Sequence, residues 1–456
     1  MRRIAFISEH ASPLAVLGGK DCGGQNVYVR EIAKQLVARG YAVDVFTRRD
    51  DDEQPIVTPW RENLRVINVP AGPAHYVRKE ELLPYMSEFA RFIQAFARRE
   101  GIRYDLVHAN FFMSGLVAAE LKAAWGTPFA ITFHALGRVR RLHQGEHDEF
   151  PESRIAIEDR LVSEADAIVA ECPQDEEDLI CLYAADPRKL RLVPCGFDPQ
   201  SFWPIKKHVA RSALGLPNHR PILLQLGRMV PRKGVDTVIQ SLPVLRRAHN
   251  VDPLLIIVGG ESNAPDPAMT PEIFRLQAIA KAEGVSDAVE FIGRRDTRSL
   301  RYYYSAADLF VSTPWYEPFG ITPVEAMACG TPVIGANVGG IKFSVRDGET
   351  GYLVPPKQPQ ALAERVAHLF AHPELMSVFR QQAVNRANHY FTWRIVSEAI
   401  AMLYEDVCDR GALRASTDEE LLASVPSKHA VPRFDRRRNI RPFLFDRRAN
   451  PLAARG

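Results

Sequence analysis

Two pairs of side chains in the second half of the chain have the types and spacing to handle a charged, hydroxyl-rich ligand. Arg228 and Lys233 belong to Gly227-Arg228-Met229-Val230-Pro231-Arg232-Lys233-Gly234, which follows the apolar run Ile222–Leu226. Two cations where a strand runs out towards a helix suit a pyrophosphate, although a solvated basic turn has the same composition. Glu317 and Glu325 lie eight residues apart in a segment rich in glycine, proline and aromatic residues. Glu317 precedes a helix that opens near Gly320 and stops at Gly330 and Pro332, and Glu325 lies in its second turn. The unsatisfied N–H groups of Phe319, Gly320, Ile321 and Thr322 are donors for an anion or a hydroxylated ligand, and Glu317 beside them is an acceptor for hydroxyls.

The first half offers a glycine loop and a histidine. Gly18-Gly19-Lys20-Asp21-Cys22-Gly23-Gly24-Gln25-Asn26 joins the first apolar run to the first helical period. Its glycines permit close backbone approach to a ligand, but the spacing matches neither a dinucleotide fingerprint nor a phosphate-binding P-loop. His134 ends the run Phe129–Phe133, and a residue at the carboxyl end of a parallel strand faces a ligand cleft. A structural strand-end histidine or a plain tight turn remains the alternative at each place.

The elements that must position these residues alternate. Strand-like runs at 4–8, 42–47, 64–69, 105–108, 128–133, 167–170 and 190–193 are separated by helical stretches at 27–38, 80–99, 112–125, 152–164 and 173–184. The pattern pauses in a Pro/Gly-rich stretch, 194–221, and restarts with strands at 222–226, 254–258, 289–292, 309–312 and 332–335. Helices are expected at 235–248, 271–283, 298–306 and 320–329, then at 359–371, 373–390 and 393–408. Strands alternating with helices imply parallel sheets covered on both faces. The fold class is therefore α/β, with two doubly wound Rossmann-like domains facing a cleft: 1–197 with the helix 393–410, and 203–390.

Composition bounds the rest. The chain has 456 residues, 46% apolar and 25% charged, with a formal charge of +3. Residues 426–456 hold nine basic and two acidic residues, so this tail carries +7 and leaves the remainder at −4. The body is not built for nucleic acid. The tail reads as a disordered basic end, with weak contact to an anionic membrane surface as the sharper alternative. No apolar run approaches the ~18 residues of a membrane span, and the expected location is the cytoplasm. The six cysteines show no metal spacing, and no acidic pair sits at a strand end, Asp50–Glu53 reading as a solvated turn, so no metal and no cofactor are expected.

Taken in order, Gly23-Gly24-Gln25-Asn26-Val27-Tyr28-Val29, Phe133-His134-Ala135-Leu136-Gly137, the 226–234 segment, Glu317-Pro-Phe-Gly-Ile-Thr-Pro-Val-Glu325 and Gly339-Gly340 with an exposed loop to 347 resemble the retaining glycosyltransferases of family 4, over nearly all of 1–410. The nearest branches are those of the sucrose-phosphate synthases, the sucrose synthases and the glycosyltransferase of mycothiol synthesis. The resemblance implies the GT-B fold, with a last helix crossing back to the first domain. It implies hexosyl transfer from a nucleotide sugar, UDP-linked by expectation, to a sugar, sugar-phosphate or other hydroxyl acceptor, with retention and without a metal. Arg228 and Lys233 would hold the diphosphate, Glu325 the ribose, and Glu317 with the N–H groups at 319–322 the transferred sugar. His134 would reach that sugar, Gly24 the phosphates and Arg294 the base. Gln25, Asn26 and Lys79 would meet the acceptor. One branch binds an acceptor phosphate with a lysine, a tyrosine, a threonine and an arginine; Lys79 matches the lysine, Phe111 and Ala135 stand for the next two, and no arginine is matched by sequence. Arg138, Arg140, Arg141 and His143 are the remaining phosphate candidates. The alternatives are a sucrose-phosphate- or sucrose-synthase-like activity and a non-catalytic nucleotide-sugar binder.

Overall fold

A computed structural model describes residues 1–16 and 22–419. The N-terminal half contains β1 (Arg3–Ile7), α1 (Gly24–Ala38), β2 (Ala42–Arg48), β3 (Val57–Arg61), β4 (Leu64–Val69), α2 (Met86–Glu100), β5 (Leu106–Asn110) and α3 (Phe112–Trp125). It continues with β6 (Phe129–Thr132), α4 (Gly137–Gln144), α5 (Ser153–Glu164), β7 (Ala167–Ala170), α6 (Pro173–Tyr183) and β8 (Leu190–Leu192). The C-terminal half runs α7 (Lys207–Leu214), β9 (Ile222–Leu226), α8 (Val235–His249), β10 (Leu254–Val258), α9 (Pro271–Ala282), β11 (Val289–Gly293), α10 (Thr297–Ala306) and β12 (Leu309–Ser312). It closes with α11 (Ile321–Ala328), β13 (Val333–Ala336), α12 (Gly339–Ser344), β14 (Gly351–Val354), α13 (Pro359–Ala371), α14 (Pro373–Tyr390) and α15 (Trp393–Glu419).

The strands form two sheets, one of eight strands in the order β3-β4-β2-β1-β5-β6-β7-β8 and one of six in the order β11-β10-β9-β12-β13-β14. All pairings are parallel except β3 with β4. Helices cover both faces, so inner strands such as Leu254-Leu255-Ile256-Ile257-Val258 are buried along their whole length and read as continuous apolar runs. Helices reveal themselves by period instead: α2 buries Met86, Phe89, Ala90, Ile93, Phe96 and Ala97, one stripe at three- and four-residue steps.

The two halves are joined by two adjacent crossings. Phe197 N donates to Phe391 O at 2.7 Å and Trp393 N donates to Phe197 O at 3.1 Å, so both passages are tied together. Beyond the second crossing α15 lies on the N-terminal half. Tyr41 donates to Glu405 at 2.6 Å, Arg2 pairs with Glu405 at 2.7 Å, and the buried Tyr404 hydroxyl meets His108 Nδ1 at 2.6 Å. The expected return of the last helix to the first half is therefore present.

Five local expectations are corrected. The stretch 194–221 is not a plain linker: it carries α7, whose buried Arg211 donates to the carbonyls of Pro217, Asn218, Arg220 and Ala306 and pairs with Asp308. The loop expected after Gly339-Gly340 is α12, with Ile341 and Phe343 buried. The basic segment 137–144 is the helix α4, and 79–85 forms two 3-10 turns around Pro84, so α2 starts at Met86 rather than near 80. Two short strands were missed: β3, an antiparallel edge broken by Pro59, and β14. Residues 426–456 lie outside the described residues, and so do the first positions of the glycine loop, 17–21. Among the described residues no helix is long and apolar enough to cross a membrane.

Candidate functional site

Each sheet reverses its strand order once, between β1 and β5 and between β9 and β12. Loops leaving the carboxyl ends of strands at such a reversal diverge and open a crevice. At the first reversal β1 leads to the glycine loop and β5 to Asn110 and Phe111. At the second, β9 leads to Arg228 and Lys233, and β12 to Glu317. The two crevices meet: a Cβ on Gly23 would stand 3.4 Å from Arg228 Nε, and one on Gly24 would stand 3.6 Å from Ile321 Cδ1. Between the halves lies a cavity of about 280 Å³, lined from the N-terminal half by α4 and α6 residues and from the C-terminal half by the Tyr316–Pro318 loop, Asn337–Gly339 and Lys342.

On the C-terminal wall, Lys233 Nζ and Glu317 Oε2 form a short ion pair. Arg232 adds a third cation, its guanidinium 5.1 Å from the centre of the Tyr316 ring, and its carbonyl fixes Trp315 N at 2.9 Å. Burial pushes the Lys233 ammonium down to about 8, against the pull of Glu317 and with the push of Arg232 and Arg228. Burial works against ionised Glu317 too, but Lys233, Arg232 and Arg228 together outweigh it and hold the carboxyl below its usual range. This corner is built by backbone contact. Gly234 has φ +66°, and a Cβ there would fall 2.0 Å from Thr313 O; a Cβ on Gly340 would fall 2.3 Å from Phe319 Cα. Gly340 N in turn donates to Glu317 O at 3.0 Å. The 317–320 loop is thereby pressed against α12, and Gly320, at φ +89°, caps α11.

Phe319, also expected on this wall, sends its ring into the core, 5.9 Å from Phe391, leaving its backbone at the site. Ile321 and Thr322 form the first turn of α11, whose leading N–H groups have no helical acceptor. Glu325 is buried and accepts from Tyr304 Oη at 2.7 Å; burial raises its carboxyl to about 7, with Tyr304 and Arg30 opposing. Arg294 follows β11 and anchors its N–H on Ser262 O at 2.8 Å.

On the N-terminal wall His134 and Phe111 both adopt positive φ, 57° and 86°, at the ends of β6 and β5. Such backbone costs about 1–3 kcal/mol per residue and collects at functional sites. The His134 ring is held on both nitrogens, Nδ1 by Glu171 at 3.0 Å and Nε2 by Asn110 Oδ1 at 3.0 Å, with Tyr28 edge-on at 4.8 Å. Gln25 donates to Ser8 Oγ and Asn110 O, each at 3.2 Å. Asn26 is corrected in role: it is buried, its Oδ1 caps Gly23 N at 2.8 Å and its Nδ2 donates to Ser12 O at 3.0 Å, so its amide braces the glycine turn. Lys79 sits in a 3-10 turn and pairs with Glu80 at 2.9 Å.

Several site residues had no signal in the sequence. Tyr316 crosses the cleft: His143 stacks on it at 5.1 Å and Gln144 donates to its hydroxyl. Glu171 orients His134, and Asp175 and Asp178 line the cavity. Burial beside Glu171 raises Asp175 to about 8. Arg154, also unforeseen, donates to Ala135 O and lies 4.9 Å from the Phe111 ring centre, making it the arginine adjacent to both substituted positions.

The profile described as Glycosyltransferase Family 4 matches residues 22–201, and the one described as Glycosyl transferases group 1 matches residues 206–386. The D-inositol 3-phosphate glycosyltransferase of Corynebacterium jeikeium is 36% identical over 414 residues, covering 90% of this chain and 98% of that protein. Among solved structures, sucrose-phosphate synthase from Thermosynechococcus elongatus superposes with a TM-score of 0.82 at 33% identity, covering 90% of this chain and 100% of the other. Anabaena HepE in complex with UDP and glucose shares the fold, with a TM-score of 0.69 at 20% identity over 89% of this chain and 100% of the other. Two Rossmann-like halves, a crossing helix and an aligned full-length relative lead to one conclusion: the chain belongs to the family 4 glycosyltransferases, and its activity is the transfer of a glycosyl group.

Proposed function

We propose that the chain moves a hexosyl unit from a UDP-sugar to a hydroxyl acceptor with retention of configuration and without a metal ion, its halves dividing at 198–202. The observation that carries this reading is the cluster at the second strand reversal, where Lys233 and Glu317 pair beside Arg228 and Arg232 and face the glycine turn of the other half. As the anomeric carbon–oxygen bond breaks, negative charge develops on the departing diphosphate. Cations already fixed there stabilise it without reorganisation, which is the work a divalent metal would otherwise do. The acceptor oxygen attacks from the face the diphosphate leaves, and its proton passes to the leaving phosphate oxygen. The products are the glycoside and UDP. The α11 N–H groups and Glu317 hold the sugar, Glu325 accepts from the ribose hydroxyls, and Arg294 lies where the base would stack. The fold relative solved with UDP and glucose supports the donor class.

The test is the Glu317→Ala protein incubated with UDP-glucose and other UDP-hexoses. Transfer and the slow acceptor-independent release of UDP should both fall at least ~100-fold, the scale of removing one group that stabilises a transition state. Rates equal to those of the unaltered protein would refute the assignment.

A further inference from the structure

We infer that Tyr316 is a positioning residue: clasped from across the cleft by the last turn of α4, it sets where Glu317 stands, so that the N-terminal half holds the sugar-binding carboxylate of the C-terminal half. The inference rests on the glycosyl-transfer reading above and adds a residue to it.

Tyr316 precedes Glu317 in the loop from β12 to α11, and the backbone is fixed on either side of it. Trp315 N donates to Arg232 O at 2.9 Å, and Glu317 O accepts from Gly340 N at 3.0 Å. With both neighbours tied, the Tyr316 ring cannot shift without pulling on Glu317. Although it lines a cleft, Tyr316 is only 5% exposed. Much of its cover comes from the other half. The His143 ring stacks on it, with centroids 5.1 Å apart and planes at 18°, and Gln144 Nε2 donates to its hydroxyl. From its own half the Arg232 guanidinium lies 5.1 Å from the ring centre. Arg232 Nη1 is buried with no hydrogen-bond partner among the described residues, and the ring's π face is the acceptor beside it.

The clasp is anchored on the other wall of the cleft. α4 opens three residues after His134, where Gly137 N donates to buried Glu158 at 2.9 Å and Arg138 N to the Tyr183 hydroxyl at 2.8 Å. Eight helical residues carry that anchor about 12 Å to His143 and Gln144. A second tie reaches Glu317 through its other contact. Lys342 of α12 donates to Gln174 Oε1 of α6, and α12 is the helix whose Gly340 N holds Glu317 O. Glu317 is therefore held between two cross-cleft contacts, and both exist only while the halves face one another.

The test is release of UDP from saturating UDP-glucose by the full chain, beside calorimetric titration with UDP and urea unfolding of each variant. Tyr316→Leu should lower kcat roughly 30-fold, since misplacing a positioned group by ~1 Å costs up to ~100-fold. Tyr316→Phe keeps the ring and should recover all but about fivefold, the weight of one hydrogen bond. Gln144→Leu should cost the same fivefold, and Tyr316→Phe combined with Gln144→Leu should cost no more than either alone. UDP affinity should stay within about threefold throughout, the mark of a contact that serves the transferring sugar rather than the diphosphate. A Tyr316→Leu protein within about threefold of the parent kcat, or one whose UDP affinity falls as far as its rate, overturns the inference. So does a double variant whose loss is the product of the two single losses. If the unaltered chain releases no UDP from UDP-glucose, the donor reading fails on its own. The clasp is then decided by the same double cycle in urea midpoints, where coupled shifts uphold it and additive shifts overturn it.

Discussion

Lys233 is the residue whose replacement reads the site most directly, because two substitutions separate its charge from its titration. It is buried, paired with Glu317 and lowered to about 8. A unit charge ~4 Å from a developing charge is worth about 4 kcal/mol at an effective dielectric constant of ~20. Arg228, Arg232 and entering water would restore part of that, leaving a net loss of ~3–4 kcal/mol in Lys233→Ala, or a roughly 10²–10³-fold fall in kcat. The pH dependence gives an independent reading. The ammonium is the useful form, so kcat/KM for the donor should be level below pH 8 and fall about tenfold per pH unit above it. Arginine does not titrate in that range, so Lys233→Arg should keep measurable activity and lose the descending limb. The assay is UDP release at limiting UDP-glucose between about pH 6.5 and 9.5, with melting temperatures recorded for each variant. An unchanged limb in Lys233→Arg, or a Lys233→Ala protein within about fivefold of the parent at pH 7, would refute the reasoning.

Three further outcomes are expected. Gly340→Ala places a methyl 2.3 Å from Phe319 Cα and O, so the 317–320 loop must shift; a loss of at least ~2 kcal/mol in urea unfolding and weakened UDP binding by calorimetry are expected. Tyr404→Phe leaves buried His108, whose ring is already driven to about 3 by burial, without its Nδ1 partner, and should cost about 1–3 kcal/mol by the same unfolding measurement with little change in donor KM. Asp175, raised to about 8 by burial, keeps a proton in the folded chain that the unfolded chain has released above pH ~4. Stability should therefore fall as pH rises from about 4 to 8, and Asp175→Asn should flatten that slope in melting temperatures taken at about pH 5, 6.5 and 8.

The sequence by itself determined the architecture and which strand ends carry the candidate residues. Strands β9, β10 and β12 and helices α13 and α14 fall where the apolar runs and helical periods put them, because a strand buried on both faces and a helix buried on one each print their own period on the chain. Parallel strands joined by helices then leave little choice of topology, and the chemistry-bearing residues fall at strand ends. The short elements were not legible. Strands β3 and β14 and helices α7 and α12 are too brief to show a period, and tertiary contacts fix them, as when Gly340 presses on Phe319.

Only the tertiary structure decided how charge is spent. Lys233 and Glu317 are 84 residues apart, and burial, against the pull of their contact, lowers the lysine to about 8. Arg138 and Arg140 look alike in the sequence as phosphate ligands, yet each is committed to a carboxylate: Asp159 and Asp148 respectively. A side chain's type is fixed by its codon. Its free valence depends on which partner the fold brings within about 3 Å, and that distance is a property of the packed chain.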